Sequence, residues 1–354
     1  MKRIPNLTSL RFLLALLVVI FHIPLFFSNR ELPFYNDLPI FNKGTEAVYM
    51  FFSLSGFLII KQLFEEKKLT GTINLKSFYM RRVLRIFPLY YLVLIIGLFY
   101  YQIILPKLGF QFESNYDLWK GILLSVTFFP NIFATFQPGG ILEILWSIGI
   151  EEQFYIIIAP LLLLIPAKKT RTFLILFTII YFIIYLLPSL PFLQKFKMLF
   201  FYFSFSGFCS IMFDNEKFRK FLIIIKIPIL IILIVYFTTS IFVNNFNDFF
   251  YHLIGTILLG LSISILSLSK INFLENKTLE YLGKISYGVY MYHSIVMQLV
   301  GFIFLKYIPL LKLPNCVFIL LSNLMVINIT ILLSHLSYKY FESFFLNLKK
   351  NFRK

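Results

Sequence analysis

Arg11 and His22 stand eleven residues apart in one apolar run, Leu10 to Phe27. At about 100° per residue, eleven helical steps return to within roughly 20° of the start, so guanidinium and imidazole share one face. Their separation along the axis is roughly 16 Å, about half the hydrocarbon thickness of a bilayer. One helix face thus carries a permanent cation near one membrane surface. Well inside, it carries the side chain whose ordinary pKa lets it take up or release a proton near neutrality. Ionisable groups at such depth are costly and mark cavities or pathways. The plainer reading is a His bonded to a neighbouring helix and an Arg reaching for headgroups.

Three further stretches hold residue types that do chemistry. Arg82 and Arg85 share a helical face at i and i+3, and two guanidiniums so placed suit a phosphate or diphosphate, or serve as a plain cationic anchor. The segment Trp146-Ser147-Ile148-Gly149-Ile150-Glu151-Glu152 brings two adjacent carboxylates into an apolar run; they point about 100° apart, so one of them faces any given site. A carboxylate beside His22 would orient the ring and raise its basicity, or act as an acid or base itself. Ser286, Tyr290 and His293 follow i, i+4, i+7 spacing, a polar stripe that in a membrane turns toward the bundle interior. Ser53 and Ser55 lack the strained elbow of a Ser nucleophile and, with Gly56, suit close helix packing instead.

The elements that must position these groups are membrane helices. The chain has 354 residues, 59% hydrophobic, 19% aromatic and 14% charged, with mean hydropathy +0.83, a composition outside the range of soluble domains. The sequence predicts an all-α polytopic bundle of about ten spans, near 10–27, 45–63, 86–106, 146–166, 172–188, 197–213, 221–241, 250–269, 285–304 and 314–335. A net charge of +17 invites nucleic acid as a partner, but the Lys and Arg sit in short loops between apolar runs. One set of alternate loops holds 23 of them and the other 8, which by the positive-inside rule makes both termini cytoplasmic. That orientation puts Arg11 at the cytoplasmic edge and brings Glu151 and Glu152 in at the level of His22. The long loop 107–145 then lies outside, with Phe110, Phe112, Tyr116 and Trp119 suited either to sugar stacking or to the interfacial belt. Cys209 and Cys316 are the two cysteines, which supports neither a disulfide framework nor a metal cluster. The basic start followed by a long apolar run without a small-residue cleavage site reads as a retained signal anchor.

Taken in order, these stretches resemble the acyltransferase family 3 membrane proteins, which O-acylate bacterial cell-surface glycans. The residues that carry the likeness are Arg11-x10-His22; Phe52-x-Leu-Ser-Gly-Phe57; Arg82-x-x-Arg85 running into Ile86-x-Pro-x-Tyr90; Trp146-Ser147-x-x-x-Glu151-x-x-Phe-Tyr155; and Gly283-Lys-Ile-Ser-Tyr-Gly-Val-Tyr-x-Tyr-His293. Ile148 stands where the family more often has Leu. The likeness covers the whole chain, and it implies one membrane domain, 1–354, expected to be the form without the soluble esterase-like extension of some members.

The resemblance implies acyl transfer from cytosolic acyl-CoA, by default acetyl-CoA, to a hydroxyl of a cell-surface or exported glycan, in the inner membrane of a bacterium. On that reading Arg82, Arg85 and Arg11 hold the CoA phosphates. His22 is general base or acyl carrier, and Glu151 orients or tunes it. Trp146, Ser147, Ser286, Tyr290 and His293 line the substrate cavity, and no metal is expected. The rival is a transporter or flippase whose Arg, His and Glu form a substrate or proton pathway, although the interior charges are few and no matched pair of broken helices is visible.

Overall fold

The computed structural model describes residues 4–110, 115–306 and 313–352, so Phe112 lies outside the described residues. Among these residues the ordered elements are all helices. Eight are long and apolar enough to cross a bilayer: Leu7–Ser28, Gly44–Thr70, Leu75–Lys107, Gly140–Leu164, Ala167–Leu186, Asp248–Leu266, Ser286–Lys306 and Asn315–Phe352. Glu216–Ile224 and Lys226–Thr238 meet at a bend of 60° and, counted as one broken span, make nine. The break has a local cause. Pro228 cannot donate to the carbonyl of Ile224, and its ring crowds that carbonyl. The remaining apolar segment is the 13-residue helix Phe200–Met212. It rises only about 20 Å, against about 30 Å of hydrocarbon. Of the ten expected spans, eight stand continuous, one is broken and one is short.

The chain divides into two compact units, one made of residues 1–17, 38–75 and 153–284, the other of 18–37, 76–152 and 285–354. In the first unit, Asn6 adopts a left-handed φ of 64°, a conformation Asn tolerates well. Its side chain bonds the carbonyls of Leu266 and Ser269 at 2.7 and 2.8 Å and accepts from Ile271 N at 3.0 Å. The start of the first helix is thereby tied down far along the chain. Gly56 packs against the Phe203 backbone so closely that a Cβ would overlap it, which is the close approach small residues provide in membranes. Phe203 in turn stacks on Phe52 and Phe154, with centroids 4.7 and 4.6 Å apart. Gly71, at φ 76°, ends Gly44–Thr70 in the left-handed cap that Gly adopts without strain. Near that end the buried Lys67 ammonium donates to the carbonyls of Leu162 at 2.7 Å, Leu163 at 2.8 Å and Ile165.

The second unit is organised by Leu75–Phe99, by the first turns of Trp146–Leu164, and by the pair Ser286–Lys306 and Asn315–Ser337. Gly288 packs tightly over Ser334, and Gly301 sits over the Phe26 ring where a side chain would collide. Leu75–Phe99 widens into a π-turn at Tyr100–Ile104. Tyr101 from that turn accepts from Ile141 N at 3.2 Å and from Gln298 Nε2 at 3.1 Å. Gln298 Oε1 also accepts from Arg30 Nη2 at 3.1 Å. This network anchors the segment that leads into Trp146, Ser147 and Glu151.

Candidate active site

Nine of the ten candidate residues from the sequence fall in the second unit. Arg11 belongs to the first, so the site is built from the second alone.

His22 is half-buried, and its Nδ1 lies 2.8 Å from the Val18 carbonyl one turn back on its own helix. A carbonyl can only accept, so in the neutral ring Nδ1 carries the proton and Nε2 keeps a lone pair. That bond to the backbone is one constraint on the ring's orientation. The ring's aromatic neighbours are Phe21, edge-on at 4.9 Å, and His293, with centroids 5.0 Å apart and planes 46° apart.

His293 is fully buried. Its Nδ1 meets the Tyr290 carbonyl at 2.5 Å, so its neutral form also has the proton on Nδ1. Its Nε2 is buried with no hydrogen-bond partner. Tyr290 is held from two sides: its hydroxyl donates to the Ile144 carbonyl at 2.9 Å and stands 2.6 Å from Ser147 Oγ. The Tyr290 proton is used on Ile144, so Ser147 is the donor in that second bond. Ser147 and Tyr290 thus meet. Glu151, one turn beyond Ser147, is half-buried and within electrostatic reach of Tyr290 and Tyr287. Trp146 is half-buried at the start of its helix, and Ser286 is buried at the start of its own.

Each of the two arginines has a buried acid in its electrostatic surroundings. Arg82 lies within electrostatic reach of Glu152, and Arg85 within reach of Glu342. Glu152 is 5% exposed and its Oε1 has no hydrogen-bond partner. Glu342 accepts from Ser337 at 3.2 Å, and Ser337 accepts from Tyr292 at 2.9 Å. Tyr287 donates to the Ile86 carbonyl at 2.9 Å, joining the His293 helix to the arginine helix. The buried members of this arrangement, Glu152 and Glu342, were not among the candidates. The adjacency of Glu151 and Glu152 was the one signal for the first, and a lone acid within an apolar tail the signal for the second. Among the described residues no three His, Cys, Asp or Glu side chains group as a metal centre needs.

Chemically, the arrangement offers two imidazole rings side by side, a tyrosine and serine that fix one of them, and a pair of guanidiniums within electrostatic reach of buried acids. Comparison with known proteins bears on what such a site serves. A family model described as an acyltransferase domain matches residues 4–335. A candidate O-acetyltransferase of Staphylococcus aureus (strain COL) is 26% identical over 97% of this chain and 57% of its own length. The peptidoglycan O-acetyltransferase OatA of Listeria monocytogenes is 29% identical over 48% of this chain and 26% of its own length. The chain thus spans little more than half the length of the Staphylococcus relatives it matches. No solved structure matches.

Proposed function

As this chain belongs to the acyltransferase family whose domain matches residues 4–335, and is an acyltransferase of the membrane, we propose that it moves an acetyl group from cytosolic acetyl-CoA to a hydroxyl of a cell-surface or exported glycan. The observation that carries the reading is the pairing of His22 with His293 at 5.0 Å. Acyl transfer to a hydroxyl needs a group that removes a proton near pH 7 or a nucleophile that holds the acyl group, and a neutral imidazole can do either. The names of the relatives, O-acetyltransferases in Staphylococcus aureus and Listeria monocytogenes, support acetyl as the group and an envelope glycan as the acceptor. The charge asymmetry of the loops supports a cytoplasmic donor side in a bacterial inner membrane.

Sidedness and donor are tested together. Inverted membrane vesicles carrying the protein should release free CoA thiol from added acetyl-CoA, and right-side-out vesicles should not. Equal release from both, or none from either, would refute the proposed donor side or the donor itself. Cells expressing the protein should also gain base-labile acetate in their envelope.

Arg82 and Arg85 hold the CoA phosphates in this reading, each within electrostatic reach of a buried acid. Arg82→Lys and Arg85→Lys keep the charge and lose the forked donor geometry. Each should raise the acetyl-CoA concentration needed for half-maximal CoA release by about tenfold, the equivalent of one charge-assisted hydrogen bond, at unchanged abundance. An unchanged donor dependence in both variants would leave the two arginines as topology anchors only.

A further inference from the structure

The acyl-transfer reading leaves open which imidazole does what, and the following rests on that reading. We propose that His293 is a second catalytic residue, the base that takes the proton of the acceptor hydroxyl, while His22 carries the acyl group. Three observations support the division. Both rings bind a backbone carbonyl through Nδ1, at Val18 and at Tyr290, so both present Nε2 as a lone pair. The Nε2 of His293 is buried and has no hydrogen-bond partner. And the rings differ in exposure, His22 being half-buried and His293 fully buried.

A buried nitrogen acceptor without a partner is complementary to a ligand that brings a hydrogen. Of the two substrates, the thioester has none at its reacting end, only a carbonyl and a sulfur. The acceptor hydroxyl has one. His293 therefore matches the acceptor. The more exposed His22 is the ring that an acyl donor reaches. Ser147 and Ile144 hold Tyr290, whose carbonyl holds His293 Nδ1, so the direction of the Nε2 lone pair is set before substrate arrives.

His22 Nε2 attacks the thioester carbonyl, the C–S bond breaks and CoA leaves as thiolate. The acyl-imidazolium keeps its Nδ1 proton on the Val18 carbonyl. The acceptor oxygen then attacks the acyl carbon as its proton passes to His293 Nε2. The C–N bond breaks and returns neutral His22. His293 releases its proton to solvent, replacing the one the thiolate takes up. No further reactant is consumed.

The test uses a nucleophile that needs no base. Hydroxylamine discharges an acyl-imidazole unaided, so hydroxamate formation from acetyl-CoA above the protein-free rate reports the His22 step alone. Base-labile acetate in the envelope of expressing cells reports both steps. His293→Gln and His293→Asn, each at matched abundance, should form hydroxamate within about threefold of wild type, whereas envelope acetate should fall by about 10²-fold or more, the usual worth of a general base. His22→Gln should lose both. Envelope acetate at the wild-type level in a His293 variant would overturn the proposal. So would loss of hydroxamate together with acetate in both His293 variants, which is what a structural role, or misfolding, gives. Hydroxamate retained by His22→Gln would overturn it from the other side. If wild type itself yields neither product, the acyl-transfer reading falls, and that outcome is distinct from all of these.

Discussion

His22→Gln should lower transfer to the envelope glycan by about 10²-fold or more, since the group that holds the acyl is gone, with the protein still inserted at its normal abundance. The amide can repeat the bond the ring makes, because its NH₂ can donate to the Val18 carbonyl that Nδ1 meets at 2.8 Å. It can neither take a proton nor hold an acyl group. Packing should change little, since the ring is half-buried and its aromatic neighbours are Phe21 and His293. His22→Ala should be equally inactive and somewhat less stable, because it leaves space beside Phe21. The measurement is base-labile acetate in the envelope, set against immunoblot abundance. A Gln variant that keeps most of its acetylation would make His22 a hydrogen-bonding residue, and the reacting group would then be sought at His293 or Glu151.

What could be read from the chain, and what could not, divides along physical lines. Composition carried the fold class, since it is a sum over many residues and tolerates local error. The count of ten spans came from hydropathy alone, which weighs residues without regard to direction. It could not see that Pro228 breaks one apolar segment, or that Phe200–Met212 is too short to cross by itself. The stripe Ser286/Tyr290/His293 was legible because helical spacing fixes which side chains share a face. The pairing of His22 with His293 was not, because spacing on one helix says nothing of which neighbour that face meets. The same limit applies to Glu151 and Glu152. Sequence spacing shows that they diverge, but not that Glu152 is the buried one within electrostatic reach of Arg82. Lys67 is the clearest case. In the most basic loop region it counts as one positive charge among seven, whereas the structure uses its ammonium to close the end of a helix 95 residues away.

Lys67→Met should cost the protein about 2–3 kcal/mol of stability, the penalty for orphaning buried hydrogen-bonding groups. The side chain is 9% exposed, and its ammonium bonds the carbonyls of Leu162, Leu163 and Ile165 at the C-terminal end of Trp146–Leu164. Those carbonyls have no amide partner within the helix, because the helix ends there. The negative end of the helix dipole adds to their demand for a cation. Two effects oppose each other in the substitution. Burying an ammonium costs several kcal/mol in lost hydration, which Met recovers. Against that, Met supplies no donor, so the carbonyl of Leu162 is left buried and unbonded, and the other two, which are partly buried, are left to scarce water. The second effect wins because the bonds to all three acceptors are lost at once, while the apolar stem of Met fills almost the same volume and brings no new contact. Lys67→Arg should recover part of the loss, its guanidinium having donors enough for three carbonyls but a larger, planar head to fit among them. Thermal unfolding of the detergent-solubilised protein should therefore rank wild type above Arg above Met, with catalysis per folded molecule unchanged in both. A Met variant melting at the wild-type temperature would show that water, not Lys67, satisfies this helix end.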